Sequence, residues 1–427
     1  MTPEKTTELE IENRRLKLAV EELSVLNDLA RAISGLQSSE EIIDTIVRRS
    51  LRAINAEQGV ITLVEKDKAE PMKTLVRAMV NSMEHEEFHV NELMLGWMQL
   101  NKKPLLIDNP RSDSRFQFAG WDETVRNLLC VPLIVKSELI GVLTVYNKKG
   151  LQNFAEDDKR LLSIIAGQSA QVVENARLYE KEQQLFHIRQ EVQVAAKIQE
   201  ELLPKSAPKL SGYDIAGKTI SAQTIGGDYF DFIPVNENKL AICLGDVSGK
   251  GLPASLLMAN VQATLRGITL GTNSASVCIQ RSNKLLHQST GAEKFVTLFY
   301  GILDTALHQF CFCNAGHNNP FLFSQESEPL QLETGGIVLG MMDDFSYEEE
   351  TITLQSNDIL VIYSDGITEA MNTSEEDFGE ERLIKIILQN KNSDASTLVE
   401  KIVSEVKSFA GKAEQSDDIT LVVVKRN

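Results

Sequence analysis

Six aspartates in the second half of the chain stand where they could do chemistry together. Asp228 and Asp231 lie in IGGDYFDF, Asp246 in ICLGDVSGKG, Asp365 in ILVIYSDGITEA, and Asp417 and Asp418 in QSDDITLVVV. Each sits beside glycine or at the end of an apolar run, and carboxylates that converge at strand ends cannot all stay ionised without counter-charge. Hard divalent cations are the natural partner, and oxygen-only ligation selects Mg2+ or Mn2+ over zinc. A single aspartate in such a place is more often a cap or turn residue, a structural role open to Asp231. Four in Gly-bounded, strand-end settings make a stronger pattern.

Other motifs are weaker. His85-Glu86-Glu87-Phe88-His89 matches HExxH, but that zinc chemistry needs a helix to put both imidazoles on one face. Here the pentapeptide falls between an expected strand and the start of a helix, with no third-ligand signature, so it reads as a chance surface match. Gly226-Gly227-Asp228-Tyr229-Phe230 resembles the GGDEF motif of diguanylate cyclases, with Tyr in place of the acidic fourth residue. Gly245–Gly251 fails as a phosphate loop, which needs four residues between its glycines and Ser or Thr after the Lys.

The elements that must position the acids follow from apolar runs. Residues 240–244 precede Asp246, 359–363 precede Asp365, and 419–424 follow the Asp417–Asp418 pair. Runs apolar along most of their length predict strands buried on both faces, as in the centre of a layered sandwich. Residues 252–268, 274–289, 380–388 and 395–409 read as helices. In the first half, 42–54 and 91–100 read as helices, and 59–64 and 74–79 as strands. Residues 127–135 and 139–146 form a hairpin across 136–138, and a long helix starts near 155.

Two heptad-like seams frame that half. Leu9, Glu12, Leu16, Ala19, Leu23, Leu26, Ala30 and Ile33 form the first. Leu178, Lys181, Leu185, Ile188, Val192, Ala195, Gln199 and Leu202 form the second, ended by Pro204 and Pro208. Two seams favour a homodimer through a coiled-coil stalk; the competing reading is a helix packed on one domain.

At 427 residues the chain is long enough for two or three domains. Its formal net charge of −18 argues against nucleic-acid binding, and residues 208–427 carry 29 acids against 16 bases. The five cysteines show no framework spacing, which points to a reducing compartment. Cys311 and Cys313 alternate as small core residues of a strand. The opening MTPEKTTELEIENRR lacks the apolar stretch of a signal peptide, and no run approaches the apolar length of a membrane span. A cytoplasmic protein with no membrane contact is expected.

Two resemblances cover most of the chain. NKKPLLIDNPRSDSRF, LLCVPLIVKSELIGVLTVYNKKG and FAEDDKRLLSIIAGQSAQVVENARLYE resemble a GAF domain, an α/β sensor module. The resemblance implies a small-molecule ligand or a purely dimerising role; Cys130, in a predicted strand, is not read as a chromophore attachment site. GGDYFD, GDVSGKGLPASLLMA, TLFYGILD, NAGHNNP, YSDGITEA and DDITLVVV, in that order, resemble the metal-dependent PPM-type serine/threonine phosphatases of the SpoIIE/RsbU branch. The upstream AAKIQEELLP resembles the linker helix that couples a sensor to the phosphatase in that branch.

The expected organisation is an N-terminal coiled-coil helix (1–23), a GAF α/β sandwich (24–177), a helical coiled-coil linker (178–207) and a PPM phosphatase β-sandwich flanked by helices (208–427). The phosphatase resemblance implies two Mn2+ or Mg2+ ions. Asp246 would bridge them, the Val247 carbonyl would be an additional ligand, Asp228 would hold one metal, and Asp365 and Asp417 would complete the other. Asp418, Gly227 and His317 are candidates for the surrounding support. Two adjacent cations would activate water for in-line attack on phosphorus, with no phospho-enzyme. The histidine that follows the bridging Asp-Gly in eukaryotic relatives is absent, since this chain reads Asp-Val-Ser; His317 or water remains for the general acid. The implied substrate is a phosphorylated STAS-type anti-anti-sigma protein in a partner-switching pathway. The alternative is a ligand-sensing scaffold whose phosphatase-like domain binds partners without turnover.

Overall fold

A computed structural model describes residues 38–64, 72–73, 92–116, 120–291, 294–324 and 328–427, with scattered positions before residue 38. Five of the first seam's eight residues, the expected strand at 74–79 and the His85–His89 pentapeptide fall outside the described residues; Glu12, Leu16 and Leu23 are described, helical and exposed. Contacts divide the chain into two units, Met1–His187 and Ile188–Asn427.

In the first unit, α1 (Ser39–Ile54) begins where the Ser38 hydroxyl accepts from the Glu41 amide, satisfying one of the free N–H groups of the first turn. Then come β1 (Ala56–Val64), β2 (Met72–Lys73), α2 (Glu92–Asn101), β3 (Leu105–Ile107), β4 (Leu128–Val135), β5 (Glu138–Lys148) and α3 (Glu156–Leu202), whose residues from Ile188 onward belong to the second unit. The strands form one antiparallel sheet in the order β2-β1-β5-β4-β3. The expected hairpin is β4–β5. Val135 pairs with Glu138, and Lys136 and Ser137 both take positive φ, the geometry of a two-residue turn matched to strand twist.

Side chains alternate across this sheet. Leu129, Val131, Leu143 and Val145 pack with Ile42 and Ile46 of α1 and Leu162 and Ile165 of α3. Leu128, Cys130, Val142 and Tyr146 pack on the other face with Met94 and Met98 of α2. Because both faces are covered, the strands are apolar nearly throughout. Helix α3 has 47 residues and passes residue 178 without a break. It stops two residues before Pro204, which could not continue the hydrogen-bond ladder. Along the second seam Leu178, Leu185 and Ile188 are exposed, whereas Gln199 is buried.

The second unit contains β6 (Tyr213–Ile220), β7 (Tyr229–Asn236), β8 (Lys239–Val247), α4 (Leu252–Thr269), α5 (Ala275–Ser289), β9 (Val296–Asp304), β10 (Gln309–Ala315), β11 (Phe321–Phe323), β12 (Leu330–Gln331) and β13 (Gly335–Gly336). It closes with β14 (Glu350–Thr353), β15 (Ile359–Tyr363), α6 (Asp365–Thr368), α7 (Gly379–Gln389), α8 (Ala395–Ala410) and β16 (Ile419–Arg426). One sheet runs β13-β10-β9-β8-β7, with β14 also on β10, and the other runs β12-β11-β15-β16-β6. Phe230, Ile242, Phe299 and Phe310 from the first sheet meet Leu360, Ile362, Val422 and Val424 from the second. Helices α4 and α5 cover the outer face of the first sheet, and α7 and α8 that of the second. The result is the helix-flanked β-sandwich that the phosphatase resemblance implies, with the apolar runs as its doubly buried strands. Cys313 and, partly, Cys311 join the core under α4 and α5, and all five cysteines are free.

Candidate metal centre

The aspartates are brought together by strand ends. β7 pairs with β8 so that Tyr229 opposes Gly245, placing Asp228, just before β7, next to Asp246, near the end of β8. In the other sheet Tyr363 pairs with Leu421, so Asp365, one residue past Ser364, and the Asp417–Asp418 pair before β16 share an edge. Asp418 joins the two groups. Its carboxylate accepts from the Ala222 amide (2.8 Å), the Gly227 amide (2.7 Å) and the Asp228 amide (3.2 Å). Those bonds occupy both its oxygens, so Asp418 acts as a clip between the sheets.

The other four carboxylates differ in environment. Asp228 is 4 % exposed and its Oδ2 has no hydrogen-bond partner. Burial first, then the charge of Asp246, pushes its carboxyl well above the ordinary range, against smaller opposing hydrogen bonds from Thr420 and Ser364. Asp246 is pushed up to about 7 by burial and by the charges of Asp365, Asp417 and Asp418. Asp365 is raised by burial and by Asp417, while the Gly366 amide and Lys250 oppose the shift. Asp417 accepts from the Asp418 amide at 2.9 Å and from Lys250 Nζ at 3.0 Å.

An acid cluster of this kind, with Asp228 buried and Asp246, Asp365 and Asp417 half-buried, suits a hard cation. The fit has two further supports. The orphaned Asp228 oxygen is one, because a buried charged atom without a partner is costly. The other is Gly227, where a Cβ would stand 3.1 Å from the Val247 carbonyl oxygen and 3.4 Å from Asp246 Oδ1. Glycine there leaves open the approach to two of the expected ligand atoms. The spacing is nonetheless open: among the described residues no group of three His, Cys, Asp or Glu side chains closes on one ion.

The remaining positions fall around this cluster. His317 is buried, with Nδ1 2.9 Å from Thr297 Oγ1, and Thr297 sits opposite Asp246 in the β8–β9 register. Burial pushes the imidazole down to about 4, so at neutral pH it carries no imidazolium proton to give a leaving group. Asp231 lies apart, fully buried and held by Arg266 (2.7 and 3.1 Å) and the Tyr229 hydroxyl (2.7 Å). Its partner pattern is structural.

Two residues of the site were not singled out from sequence. Gln199 of α3 donates from Nε2 to the Gly226 carbonyl (2.7 Å) and accepts from the Gly226 amide (3.2 Å), gripping the loop before Asp228. The signal for it was its polarity within an otherwise apolar part of the seam. Lys250, in the rejected phosphate-loop motif, donates to Asp417 and to the Ser416 carbonyl (2.7 Å).

Comparison with known proteins agrees with this architecture. Residues 236–427 match the family model described as Stage II sporulation protein E (SpoIIE), and 37–174 match a GAF domain. Phosphoserine phosphatase RsbU of Bacillus subtilis (strain 168) is 31 % identical over 241 residues, which are 56 % of this chain and 71 % of RsbU. Protein IcfG of Synechocystis sp. (strain ATCC 27184 / PCC 6803 / Kazusa) is 27 % identical over 266 residues, 56 % of this chain and 42 % of IcfG. The chain therefore spans less than half of that second relative. Among solved structures, the SiaA-PP2C domain of Pseudomonas aeruginosa superposes with a TM-score of 0.51 at 19 % identity, over 57 % of this chain and 98 % of that one. The likeness is one of fold.

Proposed function

The chain belongs to the SpoIIE/RsbU family of PP2C-type phosphatases, and from that premise we propose that it is a metal-dependent protein serine/threonine phosphatase under the control of a GAF sensor. Residues 208–427 carry catalysis, 24–177 sense, and 178–207 couple the two. The observation that carries this is Asp228: a buried carboxylate with an unpartnered oxygen, on which the strongest charge acting is that of another acid, Asp246.

Asp228, Asp246, Asp365 and Asp417, with the Val247 carbonyl as an additional ligand, would hold two Mn2+ or Mg2+ ions. Such ions supply activated water and neutralise phosphoryl charge. The chain's own part is positional. Asp418 fixes the Gly227–Asp228 backbone against β16, Gly227 keeps the approach open, and Gln199 ties that loop to α3. His317 is neutral, so the leaving group takes its proton from water.

The similarity to a relative named phosphoserine phosphatase supports a phosphoprotein substrate. Within the family resemblance, a STAS-type anti-anti-sigma protein in a partner-switching pathway suits it. Five free cysteines fit a cytoplasmic setting, and no described helix is long and apolar enough to cross a membrane. A homodimer would form along the exposed Leu178, Leu185 and Ile188 edge of α3, and a GAF ligand would act through that helix on Gln199.

Phosphate release from a phosphoserine protein tests the activity. It should require Mn2+ or Mg2+, stop in EDTA, and fall by roughly a thousandfold in Asp246→Asn; full activity in that variant would refute it. A second reading, a sensing scaffold without turnover, draws on the open spacing of the acids. Absence of divalent-ion binding would favour it.

A further inference from the structure

Lys250 is delivered into the acid cluster by a loop built for the purpose. Gly249 and Gly251 on either side of it take φ of +97° and +70°, the left-handed region that side chains rarely adopt. The turn swings Nζ onto the loop before β16, where it donates to the Ser416 carbonyl at 2.7 Å and to Asp417 Oδ2 at 3.0 Å. The bonds tie the segment after Asp246 to the segment carrying Asp417.

Half exposed, the ammonium acts on four acids of the cluster. Asp417, Asp418 and Asp246 all raise its pKa, and it in turn lowers that of Asp365. The oxygen that Lys250 holds belongs to one of the expected metal ligands. An ammonium bonded to that oxygen competes with a divalent ion for it, and two cations a few ångströms apart repel.

Resting on the metal-site reading above, we propose that Lys250 is the cluster's internal counter-cation, bonded to Asp417 until a divalent ion takes that carboxylate over. It is a positioning residue: its charge holds the like-charged loops together, and its departure is part of metal binding. A merely structural ion pair would stabilise the protein equally with and without metal. A competing cation stabilises one state and opposes the other.

The test uses the full chain, with Mn2+ affinity measured by calorimetry and melting followed in EDTA and in saturating Mn2+. Lys250→Gln should melt about 2 °C lower than wild type in EDTA. It should bind Mn2+ about tenfold more tightly, and its melting temperature should rise further on metal addition. Lys250→Met should behave the same way, and Lys250→Arg, which keeps the charge, should match wild type. Unchanged or weaker Mn2+ affinity in both neutral variants would overturn the proposal, as would equal destabilisation with and without metal. Wild-type protein that binds no Mn2+ would overturn the metal-site reading itself and this inference with it.

Discussion

Two buried aspartates three residues apart, Asp228 and Asp231, meet opposite surroundings. Under α4, Asp231 receives two bonds from Arg266 and one from the Tyr229 hydroxyl. At the end of the sandwich, Asp228 keeps an unpartnered oxygen and faces Asp246. Burying a carboxylate is costly unless it is paired. In the first region the chain supplies the partner, and the residue serves packing. In the second it supplies further acids, so a cation from solution is the physical remedy, and that is where chemistry is expected.

Neutralising each aspartate in turn should give opposite results. Asp228→Asn should lower phosphate release by roughly a hundredfold or more and weaken Mn2+ binding, yet raise the melting temperature in EDTA, because the cost of burying an acid beside Asp246 is gone. Breaking the other region with Arg266→Ala strands a buried carboxylate and should cost about 3 kcal/mol in urea unfolding, with Mn2+ affinity unchanged. Equal loss of metal binding in both variants would break the contrast.

A smaller effect concerns pH. Asp246 has a folded pKa of about 7 against an ordinary value of 3.8. Between those values the folded chain holds a proton that the unfolded chain has released. Its contribution to stability is therefore full below about pH 4 and lost as pH rises through about 7. Melting temperature in EDTA should fall across that window, and saturating Mn2+ should flatten the slope. Smallest of all, Gln199→Ala removes two bonds to Gly226 and should cost about 1 kcal/mol, with a few-fold fall in phosphate release. An unchanged rate would separate α3 from the site.

Much of this was legible in the sequence because apolar runs and acids alternate. Residues 240–244, 359–363 and 419–424 are buried on both faces, and such strands need no polar alternation, so their ends announce themselves. The β4–β5 hairpin and the α4–α5 pair were legible for the same reason of pattern. What separates Asp228 from Asp231 was not, since the distinction lies in Arg266, 35 residues from Asp231 in sequence. Gln199 was hidden differently: within a seam it reads as a tolerated polar residue, and only the fold brings Gly226 to it. Nor does any proline interrupt 156–202, so the expected boundary at 178 has no break in the helix to mark it.

Calorimetric titration of the full chain with Mn2+ tests the central claim most directly. Wild type should bind, Asp231→Asn should bind equally, and Asp246→Asn should lose binding. Metal binding that is absent from wild type, or that survives in Asp246→Asn, would contradict a metal centre built on these strand ends.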